Sequence, residues 1–328
     1  MAVLLVLQAR GLGDLLTAVP ALRALRRTRP HDHIVLAAPQ RLKPIVDLIS
    51  SVDTLAPTTE PDGLRWDAPA PELAINLHGH SAESIVALAK TQPERILTYR
   101  NTAFPELSGP EWQSDMHDVD RWCHLLEYGG IMADRRNLGL VPPVSTTSHR
   151  DCVVVHVGAG APARRWPPER FAAVVRHLLV LGREVVLTGD EGERELALSI
   201  ATRAGLPASR VLAGEQNLVE LAATIAEAAL VICGDTGVAH LAIAFGTRTV
   251  LLFGPTSPRR NGPPPHLLSR HAVLWAGHLG DRDADIPDPG LLCIDVAEVT
   301  AAVDKQLRTH KWHSAGIDRR GSAYRRVG

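Results

Sequence analysis

Apolar residues in this chain fall in blocks of four to six, mostly Val, Leu and Ile, separated by longer stretches whose apolar positions recur with a helical period. The blocks Val3–Gln8, Ile34–Ala37, Ala74–Leu77 and Ile96–Tyr99 read as strands. Between and after them, helices are expected over Leu15–Arg27, Arg41–Leu48, Ser81–Lys90 and Asp115–Tyr128. After a Pro-rich join at Val141–Val144 the pattern restarts. Strands at Val153–His156, Glu184–Thr188, Leu230–Cys233 and Thr249–Phe253 alternate with helices at Pro168–Leu181, Glu191–Ala204, Asn217–Ala228 and Val238–Phe245, with a weak strand near Arg210–Leu212. Such alternation specifies parallel sheets covered by helices on both faces. Two repeats give two α/β domains, residues 1–145 and 146–310, and ligand sites favour the cleft between such domains. A last helix is expected over Asp295–Leu307 with Asp295 as its N-cap, followed by a basic tail, 311–328, read as unpatterned and mobile.

Composition narrows the function classes. A formal net charge of -1 argues against a general nucleic-acid binder. The four cysteines (Cys123, Cys152, Cys233, Cys293) have no paired spacing and read as reduced thiols of a cytoplasmic protein. Met1–Gln8 lacks the basic start and cleavage site of a signal peptide, and no apolar run is long enough for a membrane span.

The most informative stretch is Gly234–Pro265. A buried strand enters the turn Gly234-Asp235-Thr236-Gly237, a helix leaves it, and a second strand closes on Gly254-Pro255-Thr256. Backbone N–H groups and a hydroxyl at the positive end of a helix suit a phosphate, and so a nucleotide-type ligand at the carboxyl edge of a parallel sheet. Asp235 and Thr236 are also ordinary capping residues, but two glycines, a hydroxyl and His240 together exceed what capping needs. His240 reads equally as a core histidine of its helix.

Several long segments, VVVHVGAGAPARRWPPERFAAVV, EVVLTGDEGERELA, NLVELAATIAEAALVICGDTGVAHLAIAFG and LLFGPTSPRRNGP, together with ARGLGDLLTAVPALRALRRTRP and INLHGHS near the N-terminus, resemble glycosyltransferase family 9. These heptosyltransferase-like enzymes have two facing Rossmann-like domains, the GT-B arrangement, with an interdomain cleft. The resemblance implies an N-terminal acceptor domain and a C-terminal donor domain. It implies a nucleotide-diphospho-sugar co-substrate, ADP-heptose being the family's best-known donor, with no separate cofactor.

The resemblance also assigns roles. Asp14, following Gly13 at the start of the first helix, becomes the general base; without the resemblance it is a first-turn acid favoured by the helix dipole. Thr236 and the amides of Gly237 and Val238 meet the phosphates of the sugar diphosphate, Asp235 contacts the sugar or orders the loop, His240 lies beside them, and Gly13 is a further donor contact. Arg164 aligns where family members commonly carry lysine and neutralises the leaving diphosphate, with Arg165 as the rival. Glu193 matches an acid that hydrogen-bonds the ribose, with Glu191 as the alternative, although acids are expected at any helix start. His78 and His80 are candidates on the acceptor side. The acidic loop Asp281, Asp283, Asp285 and Asp288 reads as a solvated turn, and no metal is expected. The expected activity is inverting, metal-independent transfer of a heptose or related sugar to a saccharide, glycolipid or small-molecule acceptor, with peripheral membrane contact left open. A catalytically silent nucleotide-sugar-binding protein and a sugar-nucleotide epimerase are the alternatives on the same architecture.

Overall fold

The computed structural model describes residues 1–144 and 149–318, with side chains placed through 308. The chain divides into two compact units, Met1–Pro143 with Arg259–Asn261, and Val144–Pro258 with Gly262–Gly328.

The first unit runs β1 (Val3–Leu7), α1 (Leu12–Thr17), α2 (Val19–Thr28), β2 (His33–Ala38), α3 (Lys43–Ile49), β3 (Thr54–Pro57), β4 (Leu73–Asn76), α4 (Ala82–Ala89), β5 (Arg95–Leu97) and α5 (Asp118–Tyr128). Its strands form one parallel sheet in the order β3-β2-β1-β4-β5. Leu4, Leu5, Val6 and Leu7 of β1 are all fully buried, so both faces of the sheet are covered and the strand reads as an unbroken apolar run. The single helix expected over Leu15–Arg27 is two. The chain turns at Ala18, because Pro20 has no N–H to donate and fits only the first turn of a new helix.

The second unit contains β6 (Val153–His156), α6 (Pro168–Val180), β7 (Val185–Thr188), α7 (Arg194–Ala204), α8 (Leu218–Glu227), β8 (Leu230–Gly234), α9 (Gly237–Phe245), β9 (Thr249–Phe253), α10 (Pro258–Asn261, which crosses the division between the units), β10 (His271–Trp275), α11 (Pro289–Cys293) and α12 (Val296–Asp318). Its parallel sheet has the order β10-β9-β8-β6-β7. Val153, Val155, Leu187, Ile232, Val250 and Leu252 face α6, α7 and α12 in one apolar cluster. The weak strand expected near Arg210–Leu212 is a lone parallel bridge from Val211 to Leu187. Asp295 caps α12 as expected, in a reciprocal pair with Glu298 at 2.8 and 3.0 Å. The helix then continues to Asp318, so the segment from Lys311 to Asp318, expected to be unpatterned, is helical. Residues 319–328 of the expected mobile tail lie outside the described residues.

Candidate functional site

In the second sheet, β7 lies on one side of β6, whereas β8, β9 and β10 continue on the other. The chain's direction across the sheet therefore reverses between β6 and β8, and ligands of open α/β sheets bind where the carboxyl ends diverge in this way. The loop after β6 carries Gly158 to Arg165, and the turn after β8 is Asp235-Thr236. Pairing of His156 with Cys233 brings the two strand ends level.

Thr236 stands at the N-cap of α9 in extended conformation, and among the described residues no side chain caps that helix. The hydroxyl is therefore not spent as a cap, and the amides of Gly237 and Val238 lie in the first turn, where a helix has no internal acceptors. The Asp235 side chain has a different position. It is 5% exposed, and its Oδ2 accepts a 2.6 Å bond from the Thr256 hydroxyl, which fastens the β8 turn to the Gly254-Pro255-Thr256 segment after β9. Of the two roles expected for Asp235, sugar contact or loop ordering, this geometry supplies the second. His240 is half-buried in the first turn of α9.

Arg164 and Arg165 point apart. Nη1 of Arg164 donates to the Asp235 carbonyl at 3.1 Å, placing its guanidinium beside the β8 turn. Nε of Arg165 donates to the Ala159 carbonyl at 3.0 Å, and its charge acts on Glu193. Glycines make this crowding possible: a Cβ on Gly234 would come within 3.0 Å of the Arg164 carbonyl, and one on Gly160 within 2.9 Å of its Nη2. Trp166 is buried with its ring edge-on to Phe171 of α6 at 5.1 Å, and its Nε1 donates to the Ile294 carbonyl at 3.0 Å.

Glu193 is 7% exposed and closes a capping box with Asp190: its Oε2 accepts from the Asp190 amide at 2.9 Å, and its own amide donates to Asp190 Oδ1 at 3.0 Å. The Ala159 amide also acts on the carboxylate, so the side chain joins the ends of β6 and β7. Burial raises its pKa, with Asp190 adding to the rise and the two amides and Arg165 opposing it. Its observed partners are backbone amides, which makes it a loop fastener; Glu191 is exposed.

The acidic loop needs correcting at one position. Asp281, Asp283 and Asp285 are exposed, but Asp288 is 4% exposed, caps α11 through the Gly290 and Leu291 amides, and meets His278 Nδ1 at 3.0 Å. The segment, far in sequence from the β8 turn, is joined to the β6 loop and to the Gly254-Pro255-Thr256 segment. Ala163 exchanges backbone bonds with Ala284 and Asp288, both at 3.1 Å, and Gly280 donates to the Pro255 carbonyl at 3.0 Å. Sequence separation hid this contact because the return path runs through β10. Among the described residues, no group of three or more His, Cys, Asp or Glu side chains could hold a metal ion.

In the first unit the chain reverses between β1 and β4. Gly13 and Asp14 lie in the first turn of α1, just after β1, and Arg10 approaches Asp14 at 3.7 Å. Gln8, fully buried, donates to the Leu77 carbonyl at 2.5 Å, and the Ala9 amide donates to His78 Nδ1 at 3.2 Å. The His80 ring stacks on Trp112, centroids 4.1 Å apart.

The family model of glycosyltransferase family 9 (heptosyltransferase) matches residues 131–280, a stretch that includes the β6 loop, the capping box and the β8 turn. Over that stretch the chain is similar to the heptosyltransferases of glycosyltransferase family 9. Lipopolysaccharide heptosyltransferase 2 of Escherichia coli (strain K12) is 31% identical over 145 residues, 43% of this chain and 41% of that protein. Lipopolysaccharide heptosyltransferase 3 of Escherichia coli is 35% identical over 161 residues, 47% of this chain and 46% of that protein. These alignments span less than half the length of the curated relatives. The solved glycosyl transferase family 9 structure from Veillonella parvula DSM 2008 matches with a TM-score of 0.77 at 22% identity, covering 94% of this chain and 98% of that one. E. coli ADP-heptose LPS heptosyltransferase II matches with a TM-score of 0.74 at 22% identity, over 95% and 100%. A dodecameric iron-containing glycosyltransferase from enterotoxigenic E. coli H10407 has a TM-score of 0.64 at 15% identity, over 94% of this chain and 76% of that one. The structural likenesses establish the fold alone: two helix-covered parallel sheets of five strands, in the GT-B class.

Proposed function

We propose that the chain is an inverting, metal-independent glycosyltransferase that moves a heptose or related sugar from a nucleotide-diphospho-sugar to an acceptor hydroxyl. The observation that carries this reading is the β8 turn. An uncapped helix start with the Thr236 hydroxyl and the Arg164 guanidinium beside it forms one electropositive corner at the switch point of the second sheet. Such a corner accepts two phosphates through amides, a hydroxyl and a planar cation. It also stabilises the charge that grows on a departing nucleoside diphosphate.

Asp14 is the base of this reading. It takes the proton from the acceptor hydroxyl as that oxygen attacks the anomeric carbon, while the bond from that carbon to the phosphate oxygen breaks and the electron pair leaves with the diphosphate. Attack opposite the leaving group inverts the anomeric centre. Gly13, next to that carboxylate, belongs to the donor contacts of the same reading. Glu193 stays a ribose contact only if it uses an oxygen left over from its two amide bonds. ADP-heptose is the donor to test first, and a saccharide, glycolipid or small molecule is the acceptor. A cytoplasmic location with peripheral membrane contact belongs to the same reading. Among the described residues, no helix is long and apolar enough to cross a membrane.

A thermal-stabilisation screen of ADP-, UDP- and GDP-sugars tests the donor assignment, since a ligand of the folded state stabilises by RT ln(1 + [L]/Kd). ADP-heptose is expected to stabilise the protein most. Arg164→Ala is expected to raise its Kd about 10- to 100-fold, the loss of a charge-assisted bond of about 1.5–3 kcal/mol. Equal affinity in wild type and variant would remove Arg164 from the site. Product analysis separates a glycoside from unchanged donor, the silent binder, or an isomerised sugar, the epimerase.

A further inference from the structure

Asp14 shares its corner of the first unit with a cation that the family resemblance does not assign. Arg10 leaves β1 at the switch point between β1 and β4, one helical turn before Asp14. Its Nη1 lies 3.7 Å from Asp14 Oδ1, and the two side chains are 48% and 32% exposed. At that distance the contact is an ion pair without a direct hydrogen bond, so Arg10 favours the ionised carboxylate without donating a proton to it.

Arg10 lies beside Gly79. Gly79 has φ +151, and a Cβ there would stand 3.4 Å from Arg10 Nη2. On either side of that glycine stand His78 and His80, whose charged forms are both disfavoured. His78 accepts the Ala9 amide on Nδ1, and burial together with Arg10 pulls its pKa down to about 4. His80 is lowered by burial, by Arg121 and by Arg10. On α5, which packs against α1, Arg121 is turned toward Asp118 and the carbonyls of Gln113 and Met116, and Trp122 reaches Thr17. The groups around Asp14 thus include Arg10, two histidines whose charged forms are disfavoured and an arginine engaged with its own acid.

We infer that Arg10 is a positioning residue for Asp14, holding its carboxylate ionised and aimed through the Arg10–Asp14 ion pair over the His78-Gly79-His80 loop. The inference rests on Asp14 being the base, but its primary test does not. The full chain is labelled with 13C at aspartate carboxyl carbons, and the Asp14 resonance, assigned by its loss in Asp14→Asn, is titrated in wild type, Arg10→Gln and Arg10→Lys. Removing the cation is expected to move the Asp14 midpoint to higher pH, by about 0.2–0.7 of a unit for a partly exposed pair, and lysine is expected to restore most of the difference. A midpoint unchanged in Arg10→Gln overturns the inference.

The second readout is ADP release from ADP-heptose with truncated lipopolysaccharide core as acceptor. The acid limb of the kcat profile in Arg10→Gln is expected to shift in the same direction, with the KM for donor within about twofold of wild type. An acid limb that stays in place while Asp14→Asn abolishes turnover sinks the Arg10 role and leaves the transferase reading standing. Normal turnover by Asp14→Asn removes the base assignment itself.

Discussion

Replacing Gly158 by alanine asks whether the Glu193 carboxylate fastens the ends of β6 and β7. A Cβ at residue 158 would stand 1.8–1.9 Å from the carboxyl carbon and both oxygens of Glu193, so the two groups cannot occupy their present places together. Glutamate is flexible, and its side chain can swing out. In doing so it gives up the 2.9 Å bond from the Asp190 amide and the Ala159 amide beside it. Hydrogen bonds to a charged acceptor contribute about 1.5–3 kcal/mol, and release of a buried charge offsets part of the loss. The net cost is expected at about 2 kcal/mol, a fall in melting temperature of roughly 4–8 °C for a unit of this size. Differential scanning calorimetry on wild type, Gly158→Ala, Glu193→Ala and the double variant measures it. Because both single changes break the same fastening, the double variant is expected to lose about 1–2 kcal/mol less than their sum. Losses that simply add, or a Gly158→Ala protein within about 0.5 kcal/mol of wild type, would refute the idea that this contact holds the two loops together.

Further predictions concern turnover, metal and pH. Asp14→Asn is expected to lower turnover about 10²- to 10⁴-fold while calorimetry shows unchanged donor affinity; an unaltered rate excludes Asp14 as base. Treatment with EDTA followed by desalting is expected to leave turnover within about twofold, whereas loss of activity restored by a divalent cation would show that the arginine and helix start do not suffice for the leaving diphosphate. Burial holds His156 and His271 down to about 4, below the ordinary value near 6.5, so their unfolded forms bind protons first as the solution is acidified. Their contribution is complete above about 6.5 and is lost as pH falls toward 4. The melting temperature of His271→Gln is therefore expected to drop less between pH 6.5 and 4 than that of wild type, and parallel curves would contradict the buried neutral state.

Central strands were legible because burial on both faces writes itself as an apolar run: β6 and β9 carry the residue limits that periodicity alone predicts. Of the edge strands, β3 and β10 were not. Thr54–Pro57 is half-exposed and has no run to recognise, and His271–Trp275 is likewise only partly buried, so each becomes a strand only when β2 or β9 offers its free edge. The turn after β8 was legible because glycines, a hydroxyl and a helix start sit consecutively in the chain.

Roles that depend on residues distant in the chain were not legible. Glu193 looked like any acid at a helix start until Gly158 and Ala159 stood against it, and Asp288 looked solvated until α11 and His278 enclosed it. The choice between Arg164 and Arg165 likewise required the Asp235 carbonyl, 71 residues away. The sequence by itself determined the central strands, most helices, the glycine-flanked helix start after β8 and the acid that opens the first helix, because those follow from local periodicity and backbone chemistry. Tertiary structure alone decided which polar groups serve as fasteners between loops, because that depends on what other loops bring to the same sheet edge.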